Sequence, residues 1–243
     1  MPKPKLPPFI QTILFEDNDY LIVNKPPTIA TLADRKAPDN NMLLRAKKYH
    51  PTAQVTHRLD KETSGILVFA KHPDAYKHLV GEFAKQKVKK NYHAVTTGIH
   101  TFENRPINTP ITIKANNKAI IDFKDGKKSL TYLTTLQHFS QHTLLLCQPV
   151  TGRTHQIRLH TAYQKAPIIA DLTYGGTHCY LSEIKKNYKT NQNEEERPLI
   201  QRIALHAQKI SFLSLHNKKI TIEAPYPKDF NTLIRQLSKN TPA

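Results

Sequence analysis

The amino-acid sequence predicts an α+β protein with a long mixed, mainly antiparallel sheet flanked by a few helices. Many short segments have the residue pattern of strands, and few have that of helices. Turn residues separate several of the strands at a spacing that is typical of hairpins. The chain has 243 residues, of which 38% are hydrophobic, so it is long enough to bury a core.

The predicted strands are apolar or alternating runs bounded by turn-forming or charged residues. They cover residues 20–23, 55–59, 66–70, 92–97, 111–113, 119–123, 130–136, 143–150, 210–213 and 220–222. Asn116-Asn117 and Asp125-Gly126 give turn signals between some of them. Residues 66–70 are apolar throughout, as expected for a strand that is covered on both faces.

Four segments are predicted to be helices. One runs from Asp39 or Asn40, its alternative caps, to residue 49, and another covers residues 74–84. A third follows a Thr154 cap and ends near residue 163. The last is C-terminal and has an amphipathic stripe at i, i+3, i+4 and i+7: Phe230, Leu233, Ile234 and Leu237.

The charge balance favours a polyanionic partner. Lysine and arginine number 36 against 19 aspartate and glutamate residues, which gives a net charge of +17. Such an excess attracts and steers nucleic acids. A lysine-rich proteome with basic protein surfaces is the alternative explanation. Attachment to a membrane surface is less favoured, because no basic amphipathic helix with bulky aromatic residues is present.

Several classes of protein are not favoured. No apolar run reaches the roughly 18 residues of a membrane span, and the N-terminal residues lack the apolar stretch of a secretory signal. We therefore expect a cytoplasmic protein. Cys147 and Cys179 are the only cysteines and form no CxxC pair, so neither a disulfide framework nor a zinc site is predicted.

Residues 57–65, His57-Arg58-Leu59-Asp60-Lys61-Glu62-Thr63-Ser64-Gly65, place a carboxylate beside a guanidinium just before an apolar strand. In an extended chain the side chains of Arg58 and Asp60 point to the same face. Thr63-Ser64-Gly65 favours a tight turn that fixes the loop. A carboxylate kept ionised by arginine can act as a nucleophile or base where water is excluded. The alternative is that Asp60 is a cap or a solvated charge.

A second candidate segment covers residues 151–160. Arg153 precedes the predicted start of a helix, where backbone N–H groups point outward. Arg158 lies further along that helix and can pair with a carboxylate or a phosphate. The alternative is a basic helix face without a site. His155 and His160 lack the i, i+4 spacing of a helical metal pair, so no metal site is expected.

A third candidate is Tyr92, which follows a basic run and begins a predicted strand. As a core aromatic residue it needs no function. As a site residue it offers a ring that stacks on a base and a hydroxyl that moves a proton.

Together these segments resemble the RluA-type pseudouridine synthases. The similarity extends from about residue 15 to residue 225 and keeps the family's order of motifs. The residues that carry it are Leu21-Ile22-Val23-Asn24-Lys25-Pro26, His57-Arg58-Leu59-Asp60, Thr63-Ser64-Gly65, Lys90, Tyr92, Ala94, Thr151-Gly152-Arg153-Thr154-His155-Gln156-Ile157-Arg158, Tyr174-Gly175 and Leu205-His206-Ala207.

The resemblance implies an isomerase that needs no cofactor or metal and converts uridine to pseudouridine in structured ribosomal or transfer RNA. It makes Asp60 the catalytic carboxylate, which attacks C1′ of the sugar or C6 of the base, or assists a glycal route. Tyr92 would stack on the uracil or accept a proton, and Arg153 would pair with Asp60. Arg58 would fill the space of the extruded nucleotide or hold its phosphate. Together with Lys25 and Thr63, Arg58 is expected to bind substrate.

The same resemblance suggests the domain organisation. Residues 1–14 are an extended lead-in, too short for the accessory RNA-binding domain of many relatives, and residues 15–243 form one catalytic domain. A charged surface excursion is expected at residues 182–198. The protein is expected to act as a monomer. Two departures from the family pattern are Pro26-Pro27-Thr28, where a glycine is usual, and Ala170-Asp171, where Gly-Asp is frequent.

Two rival functions remain open. One is a hydrolytic RNA enzyme that uses His57 and His155 as an acid–base pair, which would cleave RNA rather than isomerise it. The other is a catalytically silent RNA-binding protein or chaperone. The set of Asp60, Tyr92 and Arg153 argues against silence, because a simple binder has little need of a carboxylate among its cations.

Overall fold

The computed structural model describes residues 6–33, 40–114, 118–186, 188 and 195–242. The chain forms two compact units: Met1–Lys90 with His206–Pro225, and Asn91–Leu205 with Tyr226–Ala243. Among the described residues, no helix is long and apolar enough to cross a membrane.

The described residues form twelve strands and five α-helices. The strands are β1 (Ile13–Glu16), β2 (Tyr20–Lys25), β3 (Gln54–Val55), β4 (Ser64–Ala70), β5 (Lys89–Thr97), β6 (Arg105–Asn108), β7 (Ile111–Ile113), β8 (Ala119–Ile121), β9 (Leu130–His138), β10 (His142–Pro149), β11 (Leu205–Leu213) and β12 (Lys219–Glu223). The α-helices are α1 (Met42–Tyr49), α2 (Pro73–Ala84), α3 (Gln156–Tyr163), α4 (Leu181–Ile184) and α5 (Lys228–Lys239).

The sheet of the first unit is organised around β4, every residue of which is buried. β4 pairs antiparallel with β2, which in turn pairs with β1, and its C-terminal end pairs antiparallel with β3. At its start β4 runs parallel to β11, and β11 pairs antiparallel with β12. The strand pairing is therefore mixed and mainly antiparallel, as the sequence predicts, and the predicted two-sided burial of residues 66–70 is confirmed.

The second unit has an antiparallel sheet in which β10 lies between β5 and β9. β6 pairs with the other side of β9, and β7 and β8 form a separate two-stranded hairpin. Helix α5 buries Phe230, Leu233 and Leu237 in a cluster that also contains Leu133 and Leu145. The predicted amphipathic C-terminal helix is therefore confirmed.

The predicted strand at residues 55–59 is wrong in its extent, because β3 ends at Val55. Beyond that point the Thr56 N–H still donates to the carbonyl of Val68 on β4 at 3.2 Å, and two side chains make further hydrogen bonds to Val68. The Val68 carbonyl accepts the hydroxyl of Thr56 at 2.8 Å, and the Val68 N–H donates to Nε2 of His57 at 3.2 Å. The backbone after residue 56 is thus released from the ladder and is free to form a loop.

Three further predictions need correction. The N-cap of α1 is Asn41, whose side chain accepts from the Leu44 N–H, and not Asn40. The N-cap of α3 is His155 in a left-handed conformation, and not Thr154. Strands β1 and β6 have no predicted counterpart, and β6 contains Pro106, which interrupts a strand pattern and is tolerated at a sheet edge.

Some predictions lie wholly or partly outside the described residues: the Asp39 cap, the Asn116-Asn117 turn and part of the 182–198 excursion. Within that excursion α4 covers Leu181–Ile184, and Glu195 and Arg197 are exposed. The predicted domain limits stay a prediction.

Gly65 provides a test of the parallel pairing of β4 with β11. Its φ is +111°, and a Cβ at this position would lie 2.2 Å from the carbonyl oxygen of Ala207 on β11. We expect Gly65→Ala to lower the free energy of unfolding by about 3 kcal/mol or more, because one strand must move and the backbone is strained. Urea denaturation measures the change.

Gly81→Ala is the matched control. Gly81 lies inside α2, and a Cβ there would meet nothing within 4 Å. This substitution should raise the free energy of unfolding by about 0.5–1 kcal/mol, since alanine favours the helix. A Gly65→Ala protein as stable as the unaltered chain would contradict the close approach of the two strands.

Candidate active site

Asp60 begins a short turn that leads directly into β4. Lys61 and Glu62 form the exposed corner of the turn, and the N–H of Thr63 closes it by donating to the Asp60 carbonyl at 3.1 Å. The sequence predicted the turn at Thr63-Ser64-Gly65, which is too late, because Ser64 and Gly65 already belong to β4. Asp60 is therefore the last residue before the exposed corner of the turn.

The backbone just before Asp60 is fixed by one buried hydroxyl. Thr31 Oγ1 donates to the carbonyl of Leu59 at 2.9 Å and accepts the N–H of Leu59 at 3.1 Å. Both residues are buried. A single threonine thus satisfies both backbone groups of the residue that precedes Asp60, which a loop outside the sheet cannot do for itself.

Lys25, which is completely buried, fixes the other side of the turn. Its ammonium donates to the carbonyls of Pro26, Ile29 and Lys61 at 3.0, 2.9 and 3.1 Å. These carbonyls offset the cost of removing the charge from water. Lys25 therefore ties the Asp60 turn to the end of β2. The predicted contact of Lys25 with substrate is untested, and its complete burial gives that contact no support.

The start of β4 is anchored by a buried histidine on β11. The Ser64 hydroxyl lies 2.9 Å from Nδ1 of His206, and Nε2 of His206 lies 3.2 Å from the carbonyl of Ala224. A carbonyl only accepts, so in the neutral ring Nε2 carries the proton and Nδ1 accepts from Ser64. The sequence marked His206 only as a landmark, because no local pattern links it to Ser64.

The side chains around this fixed turn differ in their exposure. Arg58 is exposed, Asp60 is half-buried and Thr63 is buried. The predicted same-face relation of Arg58 and Asp60 assumed a strand, and residues 56–63 form none. Arg58 nevertheless presents an exposed cation two residues before the acid, where a polyanion can reach it. Thr63 contributes its backbone N–H to the turn, and its predicted contact with substrate is untested.

His57 is held as a neutral side chain. Its ring lies 5.0 Å from that of Phe83, and the ammonium of Lys90 lies 5.9 Å from the same Phe83 ring. Burial, with a smaller effect of the Lys90 charge, lowers the pKa of His57 to about 3. Burial also lowers the pKa of Lys90 to about 8. His57 accepts the Val68 N–H and is a weak base, so it is poorly suited to the acid–base role of the hydrolytic alternative.

In the second unit, Gln156 builds the loop that carries Arg153. Its Nε2 donates to the Leu130 carbonyl and to Thr131 Oγ1, both at 2.9 Å. Its Oε1 accepts the Thr151 hydroxyl at 2.7 Å and the backbone N–H of Arg153 at 3.0 Å. All four hydrogen-bonding positions of the amide are used. The backbone of Arg153 is therefore fixed, whereas the residue itself is exposed.

Two other residues of this segment, Arg158 and His160, are buried and support it through polar contacts. Arg158 makes a buried, bidentate ion pair with Asp171, with N–O distances of 2.7 and 2.8 Å. Of the two partners that the sequence allowed for Arg158, the carboxylate is confirmed. His160 contacts Thr131, Ser129 and the Thr109 carbonyl, and burial lowers its pKa to about 4.

His155 is linked to Tyr174, which connects the loop to the β7–β8 hairpin. Nδ1 of His155 lies 2.9 Å from the Tyr174 hydroxyl, and this hydroxyl bridges the N–H and the carbonyl of Ala119 on β8. The guanidinium of Arg158 lies 5.0 Å from the centre of the Tyr174 ring. Sequence reasoning gave Tyr174 no role, since its partners are far apart along the chain.

Tyr92 lies on β5 opposite Cys147 of β10 and is half-buried against the hydrophobic cluster of the second unit. Its ring is thus held by the core while part of it stays accessible. Asp60 belongs to the first unit, and Tyr92 and Arg153 belong to the second. Their convergence on one substrate stays a prediction.

Among the described residues, no group of three or more His, Cys, Asp or Glu side chains could hold a metal ion. Cys147 and Cys179 are both buried free thiols. Burial raises the pKa of Cys179 to about 12 and that of Cys147 further. Neither thiol is therefore a reactive nucleophile at neutral pH.

The chain matches the family described as RNA pseudouridylate synthase over residues 19–163. A ribosomal large subunit pseudouridine synthase C of Buchnera aphidicola is 33% identical over 237 residues, which cover 94% of this chain and 71% of that protein. A ribosomal large subunit pseudouridine synthase D of Vibrio parahaemolyticus is 30% identical over 241 residues, with the same two coverages.

Solved structures have the same fold. Human RNA pseudouridylate synthase domain containing 4 superimposes with a TM-score of 0.71 at 20% identity, over 95% of this chain and 94% of that one. Human RNA pseudouridylate synthase domain containing 1 gives a TM-score of 0.65 at 23% identity, over 96% of each chain. The predicted fold class is therefore confirmed.

The low pKa of His57 makes stability depend on pH. The unfolded chain protonates this ring near its ordinary pKa of 6.5, and the folded chain only near 3, so between these values the unfolded state binds more protons. Stability should therefore fall as the pH is lowered from 6.5 towards 3, by about 1.4 kcal/mol per pH unit for this group. His57→Gln removes the titration but keeps an acceptor for the Val68 N–H. Its unfolding free energy, measured between pH 7 and 4, should fall less steeply; equal slopes would show that His57 is not shielded.

Proposed function

Because this chain belongs to the RNA pseudouridylate synthase family and isomerises uridine to pseudouridine in RNA, we propose that Asp60 is its catalytic carboxylate. The observation that supports this role most directly is the turn that holds Asp60. Thr31 fixes the residue before the acid, and Lys25 fixes the residue after it. A reacting group must be held in a set geometry to be effective, and a surface aspartate needs no such support.

In the reaction the uracil is detached from its ribose, rotated and rejoined to the same ribose. The bond between N1 of uracil and C1′ of ribose breaks, and a bond forms between C5 and C1′. The proton on C5 leaves and N1 gains one, so atoms and electrons balance without a cofactor. A carboxylate can attack C1′ or C6, or assist loss of a proton from C2′; the resemblance leaves these routes open.

The other site residues have proposed roles that match their placement. Tyr92, whose ring is held by β5 and its neighbours, stacks on the uracil or accepts its proton. Exposed Arg153 is the cation that pairs with Asp60, and exposed Arg58 takes the space of the extruded nucleotide or holds its phosphate. Lys25 and Thr63 act by positioning the turn.

The hydrolytic alternative is less well supported than isomerisation. It requires His57 to exchange protons near neutral pH, and burial keeps the pKa of this ring near 3. The nitrogen of His57 that could act as a base accepts the N–H of Val68. A catalytically silent RNA binder would not need three buried side chains, Lys25, Thr31 and His206, to fix the turn at Asp60 and the strand that follows it.

We propose ribosomal RNA of the large subunit as the substrate, since the two bacterial relatives described above are ribosomal large subunit pseudouridine synthases. The net charge of +17 suits a large polyanion. A cytoplasmic monomer with one catalytic domain over residues 15–243 is the form in which we expect it to act.

Replacement of the acid tests the assignment. Asp60→Asn keeps the shape of the side chain but removes its charge, so we expect pseudouridine formation to fall by about 1,000-fold or more. RNA affinity should change little, because the lost group is an anion. Release of tritium from RNA labelled at C5 of uridine measures turnover, and filter binding measures affinity.

Glu62→Gln is the matched control, since Glu62 lies in the same turn and is exposed. It removes a charge of the same sign two residues away, and turnover should stay within about 2-fold of that of the unaltered chain. Full activity of Asp60→Asn, or an equal loss in Glu62→Gln, would refute the specific role of Asp60.

The substrate is tested by mapping pseudouridines in cells. Deletion of the gene should remove one or a few pseudouridines from large-subunit ribosomal RNA and leave transfer RNA unchanged. The unaltered gene should restore them, and the gene carrying Asp60→Asn should not. Loss confined to transfer RNA would overturn the ribosomal assignment while leaving the isomerase intact.

A further inference from the structure

Phe123 has no role in the proposed chemistry, yet it is the most exposed large hydrophobic residue of the described chain. It is 71% exposed and follows β8 in the second unit. A single exposed apolar side chain is ordinary on protein surfaces. Its significance must therefore come from the rigidity and the charge of its surroundings.

The turn that carries Phe123 is rigid. The carboxylate of Asp122 accepts the N–H groups of Lys124 and Asp125 at 3.0 and 3.1 Å, and the Asp122 carbonyl accepts the Gly126 N–H at 3.0 Å. A Cβ on Gly126 would lie 2.2 Å from that same carbonyl, so the turn leaves no space there. Phe123 is thus exposed on a fixed backbone rather than on a loose loop.

The backbone after the turn is fixed as well. Lys127 and Ile111 exchange two hydrogen bonds of 2.9 Å, which join the turn to β7. On the other strand, the Tyr174 hydroxyl bridges both backbone groups of Ala119 on β8. The same hydroxyl contacts His155, so the hairpin is held to the segment at residues 151–160 that carries Arg153.

The segment that carries Phe123 is basic, and Arg153 contacts its backbone at Lys128. Lys124, Lys127 and Lys128 are exposed, and they outnumber the two aspartates of the turn, of which Asp122 is bound to backbone N–H groups. The Nε of Arg153 donates to the Lys128 carbonyl at 3.2 Å. An exposed phenyl ring in a lysine-rich segment that also contacts a proposed active-site arginine suits single-stranded nucleic acid. Such a ring stacks on a base while cations follow the phosphates.

We propose that Phe123 stacks on an unpaired base of the RNA that flanks the target uridine. This inference rests on the proposed function, because it takes Arg153 to mark the position of the target. Extrusion of the uridine leaves its neighbours without a stacking partner. The ring of Phe123 supplies one, and the three lysines hold the adjoining backbone.

The chain contains no tryptophan, so Phe123→Trp introduces a single indole at the proposed contact. Unpaired RNA, added as a short single strand or as unmodified large-subunit ribosomal RNA, should quench its fluorescence. Fully duplex RNA should not, because its bases are already stacked. Ile99→Trp is the control: Ile99 is 54% exposed in the same unit and has no lysine next to it in sequence. Quenching absent from Phe123→Trp, or equal in both variants, overturns the proposal.

Turnover gives a second measure. Phe123→Ala should lower kcat/KM on ribosomal RNA by about 10-fold or more, and Phe123→Tyr should stay near the unaltered value, since it keeps the ring. Ile99→Ala should have no effect. Unchanged turnover of Phe123→Ala would also overturn the proposal. An error in the proposed ribosomal substrate can be distinguished from an error in the proposed role of Phe123. In the first case single-stranded RNA would still quench the fluorescence of Phe123→Trp, whereas deletion of the gene would leave the pseudouridines of ribosomal RNA unchanged.

Discussion

The ammonium of Lys25, buried among three backbone carbonyls, is the interaction on which the Asp60 turn depends. A buried cation is costly unless each of its donors finds an acceptor. Here the carbonyls of Pro26 and Ile29 come from the segment after β2, and the carbonyl of Lys61 comes from the turn itself. The charge therefore joins two segments that are far apart in sequence. Replacing it with an apolar side chain would leave three carbonyls to be satisfied in another way.

Two further side chains hold the Asp60 turn, and each forms hydrogen bonds that strand pairing does not provide there. Thr31 binds both backbone groups of Leu59, and His206 binds Ser64 at the start of β4. The close approach of Gly65 to Ala207 allows the parallel pairing that brings His206 into place. Rigidity around the acid is thus built from one cation, one hydroxyl, one imidazole and one missing side chain.

The segment at residues 151–160 is held in a similar way by side chains that bind the backbone or one another. Gln156 fills all four of its hydrogen-bonding positions, and Arg158 and His160 are buried with partners of their own. Only Arg153 of these residues is exposed. In both segments most of the polar residues hold the backbone, and the two arginines that are proposed to act at the site, Arg58 and Arg153, are exposed. The same division appears in the β7–β8 hairpin, where backbone hydrogen bonds fix a turn that exposes Phe123.

Local patterns determined the elements of this protein. A continuous apolar run was sufficient for β4, and apolar periodicity was sufficient for α2 and α5, because burial imposes these patterns on the sequence whatever the neighbours are. The order of motifs was sufficient for the family, and it marked Asp60, Tyr92 and Arg153 as residues of interest. Local patterns failed at β3, where the His57 side chain accepts the Val68 N–H, and at the turn, which begins at Asp60 instead of Thr63.

Only the tertiary structure decided which marked residues support the backbone and which are accessible. Nothing around Lys25 in the sequence shows that its charge is buried, since the carbonyl of Lys61 that helps to hold it is 36 positions away. The partners of His206 and Tyr174 are equally remote. Periodicity records whether a side chain is buried, because burial follows the local repeat of a helix or strand. It does not record the partner of a buried polar group, because that partner is fixed by chain topology.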